Sequence, residues 1–233
     1  NYLKRLMPAV KGLKIGVPNE YFSEGVDSRV SERVWEAIKK LESMGATYRE
    51  ISLPMTRDAV AIYYIIATSE ASTNLARFCG LRYGVEEPIE GEFNEYFSKV
   101  RSRYLGEEAK RRIILGTYCR MAGYRDQFYL KAMQARTLLI REFKRAFRSC
   151  DVLAAPAMPC IAPRFSEVSS MSTLQHYMMD ILTVAPNLAG IPTISIPCGE
   201  VSSMPVGLQL MSDHMNEQAL LNAAYAYERE VMG

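Results

Sequence analysis

An α/β fold, with a mixed sheet core flanked by helices, is what this sequence predicts, and three observations carry the prediction. Residues 13–51 run β-rich, then helical, then β-rich again. Residues 180–211, DILTVAPNLAGIPTISIPCGEVSSMPVGLQLM, alternate apolar runs with turn signals. Between these regions lie long stretches with apolar residues at helical spacing. A chain of 233 residues with 48% hydrophobic content can bury a substantial core, which excludes a disordered chain.

Residues 13–17 (LKIGV) form a short strand stopped at Pro18, and residues 19–25 read as loop. Asp27 or Ser28 caps the next helix, in which Val30, Val34, Ile38 and Leu41 share one stripe and Gly45 is the stop. Residues 46–51 return as a second strand, and such a strand–helix–strand unit, if parallel, crosses over right-handed. Residues 56–79 hold little glycine or proline and read as one long helix containing Tyr63 and Tyr64. Tyrosine on a helix face is either core with a satisfied hydroxyl or, beside a cleft, an apolar body with a hydrogen-bonding tip. Both readings stay open. Residues 80–106 are polar and dotted with aromatics, an excursion from the main core with one short helix over 92–104.

Residues 107–121 and 124–149 read as a helical hairpin broken at Gly123, its second helix turning Phe128, Met133, Leu138, Leu139, Phe143 and Phe147 inward. Residues 151–155 give a third strand, ended by Pro156, Pro159 and Pro163. A serine-rich loop runs to Ser172, and Thr173 caps a helix ending near Val184. Two short buried strands follow, residues 193–196 and 206–211, each preceded by a proline. Asn187, Gly190 and Pro192 make a tight corner before the first, because glycine opens a backbone conformation closed to other residues and proline fixes its own φ. Pro197 and Gly199 repeat the device at the far end of that strand. Asn216 opens a last amphipathic helix with Ala219, Leu220, Ala223 and Tyr227 inward.

The formal charge of +2 and a pI near 8.3 argue against a chain built mainly to grip nucleic acid. The charge is uneven, however. Residues 99–148 hold fourteen Lys or Arg against four Asp or Glu, a net +10 that leaves −8 for the remainder. That segment either faces an acidic partner such as tRNA or is a set of solvated helix faces; interleaving with apolar residues at helical spacing favours the second. Five cysteines without a C-x-x-C pair, and two histidines that do not cluster, predict neither a disulfide framework nor a zinc site. No stretch has the ~18 uninterrupted apolar residues of a membrane span, and the start lacks a signal peptide. The expectation is a cytoplasmic protein with no membrane partner. With Asn1 in place of an initiator methionine, the chain reads as a piece of a longer protein.

The composite NLAGIPTISIPCG (residues 187–199), followed by PVGLQLM (205–211), resembles the closing segment of the amidase-signature hydrolases. Residues 11–22, KGLKIGVPNEYF, resemble the family's K-G-L-K-I-G-V-P-x-E-Y-F stretch. The similarity runs over nearly the whole chain and is strongest to one branch, the A-type subunits of tRNA-dependent amidotransferases. It implies the C-terminal half of an amidase-signature fold, with residues 1–233 forming part of a single domain and a helical excursion over residues 80–149. Cys79 and Ala157 depart from the family pattern, which usually has Asp and Thr there.

Hydrolysis in this family rests on a lysine, a serine next to a cis peptide and a nucleophilic serine in a G-G-S-S-G-G-S stretch. Such a relay is needed because a hydroxyl is a poor nucleophile until a base takes its proton. The stretch does not occur here. Ser169, Ser170, Ser202 and Ser203 lack glycine-rich flanks and read as solvated loop, so no catalytic residue and no metal ligand is assigned and the chain alone is expected to be inactive. Substrate recognition is what remains. A free amino acid presents a carboxylate and an ammonium, suited by an arginine fork and an aspartate. In the block E-x-K-R-R-I-x-L-G-T, residues 108–117 here, Arg112 matches the position that holds the glutamine α-carboxylate. Asp180 matches the aspartate that binds the α-amino group, and Tyr63, less closely Tyr64, matches the substrate-contacting tyrosine. Without the resemblance, Arg111, Arg112 and Asp180 would read as surface helix charges. His176 and His214 match no catalytic role and read as surface residues.

The resemblance further implies glutamine as substrate, its ammonia serving to amidate Glu-tRNA(Gln) or Asp-tRNA(Asn). The partners it implies are B- and C-type subunits and, through the complex, tRNA, with no DNA. ATP and Mg2+ then belong to a partner subunit and no cofactor to this chain. Two rivals stand beside this reading: a stand-alone amidase of the same family, which should lack the Arg112/Asp180 pair, and a non-catalytic RNA- or protein-binding module using the basic hairpin.

Overall fold

The computed structural model of the protein describes residues 1–23 and 25–232. The chain divides into two compact units, the first made of Asn1–Val60 with Arg136–Gly233 and the second of Ala61–Ala135. The strands are β1 (Lys14–Pro18), β2 (Thr47–Ile51), β3 (Val152–Pro156), β4 (Thr193–Val201) and β5 (Met204–Ser212). In chain order the helices are α1 (Ser28–Ser43), α2 (Ala59–Asn74), α3 (Phe93–Tyr104), α4 (Glu107–Arg120), α5 (Lys131–Ala146), α6 (Phe165–Ser170), α7 (Thr173–Met179), α8 (Ile181–Ala189) and α9 (Glu217–Met232).

The first unit holds one five-stranded mixed sheet in the order β2-β1-β3-β5-β4. β1 pairs in parallel with β2 and β3, and β5 runs antiparallel to both β3 and β4. The expected mixed sheet flanked by helices is therefore present. Asp27 is the cap of α1, its carboxylate accepting the Arg29 N–H at 2.9 Å, which satisfies one of the donors a helix start leaves open. The stripe Val30, Val34, Ile38 and Leu41 is buried as expected. It joins Leu220, Ala223 and Tyr227 of α9, together with Val206, Leu208 and Leu210 of β5, in one core. The β5 residues of that core sit two apart because a strand sends alternate side chains to one face.

Several boundaries differ from the sequence reading, each for a physical reason. β4 does not stop at Ile196; it runs through Pro197 to Val201, with an irregularity between Pro197 and Glu200. An edge strand tolerates proline because the missing N–H faces away from the ladder. The turn to β5 is the pair Ser202 and Ser203, with φ of 52° and 61°. Two left-handed residues give a tight loop whose twist matches the strands it joins. The helix expected from Thr173 to Val184 is two helices, α7 and α8, meeting at Asp180, and Ser172 rather than Thr173 caps the first. α8 ends at Gly190 (φ 72°), the left-handed position that closes a helix at its C-terminus. The serine-rich loop contains the short helix α6, and the long helix of residues 56–79 has 3-10 turns at both ends, Pro54–Asp58 and Leu75–Arg77. On α5, Leu139 and Phe143 are buried but Leu138 is 52% exposed, since one residue before Leu139 lies about 100° around the helix. All five cysteines are free thiols.

Two carboxylates brace the segment after β2. Glu20 accepts the Ser52 hydroxyl at 2.5 Å and the Leu53 N–H at 2.8 Å, and Glu142 accepts the Met55 N–H at 3.1 Å. Burial opposes ionisation of Glu20, but the Leu53 and Ser52 hydrogen bonds together hold its carboxyl below the usual value. Burial dominates at Glu142 and pushes it up. A depressed folded-state value stabilises the fold above the unfolded value and is lost as pH falls through the folded one. Glu20→Gln is therefore expected to lower the urea midpoint at pH 7, with the deficit shrinking as the pH drops below the ordinary glutamate range. A deficit that stays constant between pH 7 and pH 3 would show that Glu20 acts by shape and not by charge.

Candidate functional site

The second unit carries most of α2, all of α3 and α4, the π-helical turn Asp126–Leu130 and the start of α5. α4 starts after Gly106 with Glu107 and Glu108 in its first turn, where negative charge complements the open N–H groups of a helix start. Glu108 then reaches one turn along the helix. Its Oε1 accepts Arg112 Nε at 2.8 Å, and its other oxygen is bonded by Arg111. Glu placed four residues before a cation is the favourable order on a helix, although an exposed pair of this kind is worth only about 0.3–0.5 kcal/mol.

Arg112 also leans on α2. Its guanidinium carbon lies 5.6 Å from the centre of the Tyr64 ring, within cation–π range. The Tyr63 ring stands edge-on to that of Tyr64, with centroids 5.4 Å apart and planes at 88°. The Glu108 hydrogen bond first, then Tyr64 and a hydrogen bond to Tyr63, shift the guanidinium further upward from its ordinary value against the opposing effect of partial burial. Arg112 is thus a permanent cation, about one-third exposed, with its Nε oriented by Glu108 and its face against an aromatic ring. This is an arrangement suited to a planar, two-oxygen anion.

The approach of α4 to α2 depends on Gly116. A Cβ built there would overlap the Thr68 carbonyl oxygen outright, so only a residue without a side chain allows this contact. One turn from Gly116 on α4 is Arg112, and one turn from Thr68 on α2 is Tyr64. Thr68 and Ser69 are each 1% exposed, so α2 keeps a strip of small polar residues along this part of its length.

Asp180 belongs to the first unit. It is the junction of α7 and α8, with φ −93° and ψ 1°. Its main-chain carbonyl accepts both the N–H and the hydroxyl of Thr183 at 2.9 Å, while its side chain forms no cap on α8. The residue is exposed. Sequence reasoning took Asp180 for a mid-helix position; the break at this residue is a correction, and it takes the carboxylate out of a regular helix face.

Of the four expected substrate-binding residues, the structure brings Tyr63, Tyr64 and Arg112 together in the second unit, and Asp180 lies in the first. Two residues of the cluster were not assigned from sequence. Glu108 was legible through its spacing to Arg112, and Gly116 through its position inside a helical pattern, where glycine usually marks a close approach. His214 is more than a bystander on the surface. One ring nitrogen is 3.2 Å from Asp213 Oδ1 and the other 3.0 Å from the Ala189 carbonyl, tying the end of α8 to the segment after β5. Ser169 and Ser170 bond main-chain carbonyls three residues back, in α6. Among the described residues there is no cluster of three or more His, Cys, Asp or Glu able to hold a metal, and no helix is long and apolar enough to cross a membrane.

The mixed sheet with flanking helices places the chain among α/β proteins of the architecture that the amidase-signature enzymes share. The chain belongs to the amidase family, whose model matches residues 2–221. It is 51% identical to the A-type subunit of glutamyl-tRNA(Gln) amidotransferase from Methanococcoides burtonii over 96% of this chain and 47% of that protein. The corresponding protein of Thermodesulfovibrio yellowstonii is 48% identical over 98% of this chain and 47% of its own length. The crystal structure of the corresponding Thermotoga maritima protein superimposes with a TM-score of 0.73 at 32% identity, covering 97% of this chain and 44% of that one. A bacterial aryl acylamidase of the amidase signature family gives a TM-score of 0.72 at 17% identity, with 99% of this chain and 46% of that one covered, a likeness of fold. The chain spans about half the length of the curated relatives it matches and corresponds to their C-terminal part.

Proposed function

We propose that this chain is the C-terminal half of the glutamine-hydrolysing subunit of a tRNA-dependent amidotransferase. Water and glutamine give glutamate and ammonia, and the ammonia is passed to a partner subunit that amidates Glu-tRNA(Gln) or Asp-tRNA(Asn). The observation that carries the reading is the cluster of Arg112, Tyr63, Tyr64 and Glu108, a permanently charged planar fork oriented on two sides. Identity of about one half to A-type subunits of glutamyl-tRNA(Gln) amidotransferases supports it independently. In this reading Arg112 takes the α-carboxylate of glutamine, Tyr63 or Tyr64 lies along the substrate, and Asp180 takes the α-ammonium. The nucleophilic serine and its lysine–serine relay come from the half of the relatives' length that this chain does not span. ATP and Mg2+ serve the partner subunit that activates the tRNA-borne carboxylate, and the assembly works in the cytoplasm.

The test is ammonia release. The full-length protein, purified with its partner subunits, is expected to liberate ammonia from glutamine, and residues 1–233 alone are expected to liberate none, because no glycine-serine nucleophile stretch lies within them. Ammonia output that scales with the concentration of residues 1–233 and survives re-purification would overturn the division of labour. A full-length complex that leaves glutamine intact would overturn the function itself.

A further inference from the structure

We infer that Arg120 is a positioning residue for substrate recognition: it locks the register of α4 along α2 and so sets where Arg112 stands over Tyr64. The inference rests on the reading of Arg112 as the carboxylate clamp, and it goes beyond it to a residue with no place in that clamp.

Contacts between the two helices advance by one turn in each. Arg112 lies on Tyr64, the Gly116 backbone abuts the Thr68 carbonyl, and Arg120 Nη1 donates at 3.3 Å to the Ser72 hydroxyl. The residue numbers rise together by four on both helices, so α2 and α4 run side by side in the same direction. The contact at Gly116 brings the backbones together but has no side chain to resist sliding. Arg120 supplies that resistance, because the same nitrogen also reaches the Ser69 carbonyl at 3.4 Å and the Thr73 hydroxyl. These acceptors come from successive positions around the end of α2, so a shift of α4 along or around α2 loses some of them. Ser69 is 1% exposed, and its carbonyl also accepts the Ser72 hydroxyl at 2.8 Å, so Arg120 joins a hydrogen-bonded group already formed at that level of α2.

Arg120 is eight residues beyond Arg112, about 12 Å along the helix axis at 1.5 Å per residue. It is too far to touch a ligand held at Arg112, so any effect on that ligand passes through the helix. A helix moves as a rod over two turns, and a misplacement at one end of roughly an ångström appears at the other. Displacements of that size matter for a bidentate contact, whose hydrogen bonds weaken steeply with angle and distance.

The experiment compares Arg120→Ala, Arg120→Lys and Arg112→Ala in the full-length protein assembled with its partner subunits. Initial rates of ammonia release are measured over a range of glutamine concentrations. Arg120→Ala is expected to raise KM for glutamine about tenfold, the ratio that 1.4 kcal/mol of lost binding gives, with kcat within about twofold. Arg120→Lys, which keeps a donor of similar reach, is expected to recover part of that rise. In the double variant Arg112→Ala/Arg120→Ala the rise in KM should fall short of the product of the two single effects, because coupled residues are non-additive. An unchanged KM for Arg120→Ala beside a raised KM for Arg112→Ala would overturn the positioning role and leave the clamp standing. No effect from Arg112→Ala would overturn the clamp itself. If Arg120→Ala fails to assemble, the double substitution Ser72→Ala/Thr73→Val removes two acceptors while keeping the arginine. The same KM shift is then expected, and an unchanged KM overturns the inference.

Discussion

Replacing Arg112 by alanine in the assembled enzyme is expected to lower kcat/KM for glutamine by roughly one and a half decades or more, while amidation supported by free ammonia stays near normal. Removing one partner from a sheltered, charge-assisted contact costs about 2–5 kcal/mol, and each decade corresponds to about 1.4 kcal/mol. Arg112 is one-third exposed in this structure, which places it at the lower end of that range. Arg112→Lys keeps the charge but replaces a planar fork with a single point donor, so it is expected to fall between wild type and alanine. It also replaces the guanidinium that lies over the Tyr64 ring by a compact ammonium. Asp180→Asn preserves shape and removes the negative charge that an ammonium needs, and its loss should be of the same kind. Ammonia is the control because it bypasses glutamine altogether. Equal losses with glutamine and with ammonia would mean that these residues hold the fold or a subunit contact, and the substrate clamp would have to be abandoned.

Gly116→Ala is expected to destabilise the protein by about 1–3 kcal/mol, the usual range for forcing extra volume into a packed contact. Two effects compete. Alanine is the better helix former by about 1 kcal/mol, which would stabilise α4 if the site were open. A Cβ there would overlap a backbone carbonyl oxygen, however, and a backbone atom cannot rotate aside as the end of a flexible side chain can. The steric term wins, and Gly116→Val should be worse still. Gly106, the residue preceding α4, has nothing within 4 Å of its ideal Cβ position and serves as the control. Urea unfolding of the full-length protein measures both. A Gly116→Ala midpoint equal to or above that of the parent would mean that α2 and α4 do not approach this closely.

Local pattern carried much of the architecture. The stripe Val30, Val34, Ile38 and Leu41, a cap at Asp27 or Ser28 and the break at Gly123 follow from spacing and from the chemistry of single residues, and the structure contains the stripe, the break and a cap, which is Asp27. The same reasoning misplaced Leu138, because a long amphipathic helix offers several adjacent stripes and only its neighbours select one. It also stopped β4 at Pro197, because a proline reads as a stop until the strand is known to lie at the sheet edge. At the candidate site, Arg112 and the tyrosines were found through resemblance to a family, and their spacing alone did not single them out.

The sequence by itself determined that the fold is α/β, where its main helices and strands lie, and which face of α1 is buried. Those properties are local: they depend on periodicity, caps, breakers and the functional groups of individual residues. Only the tertiary structure decided that Arg112 stands over Tyr64, that Gly116 lets two backbones meet at Thr68, and that Asp180 is the junction between two helices instead of a point on one. The physical reason is that residues 64 and 112 are far apart in the chain, and which face of one helix meets which face of another is set by burial and close packing summed over the whole unit.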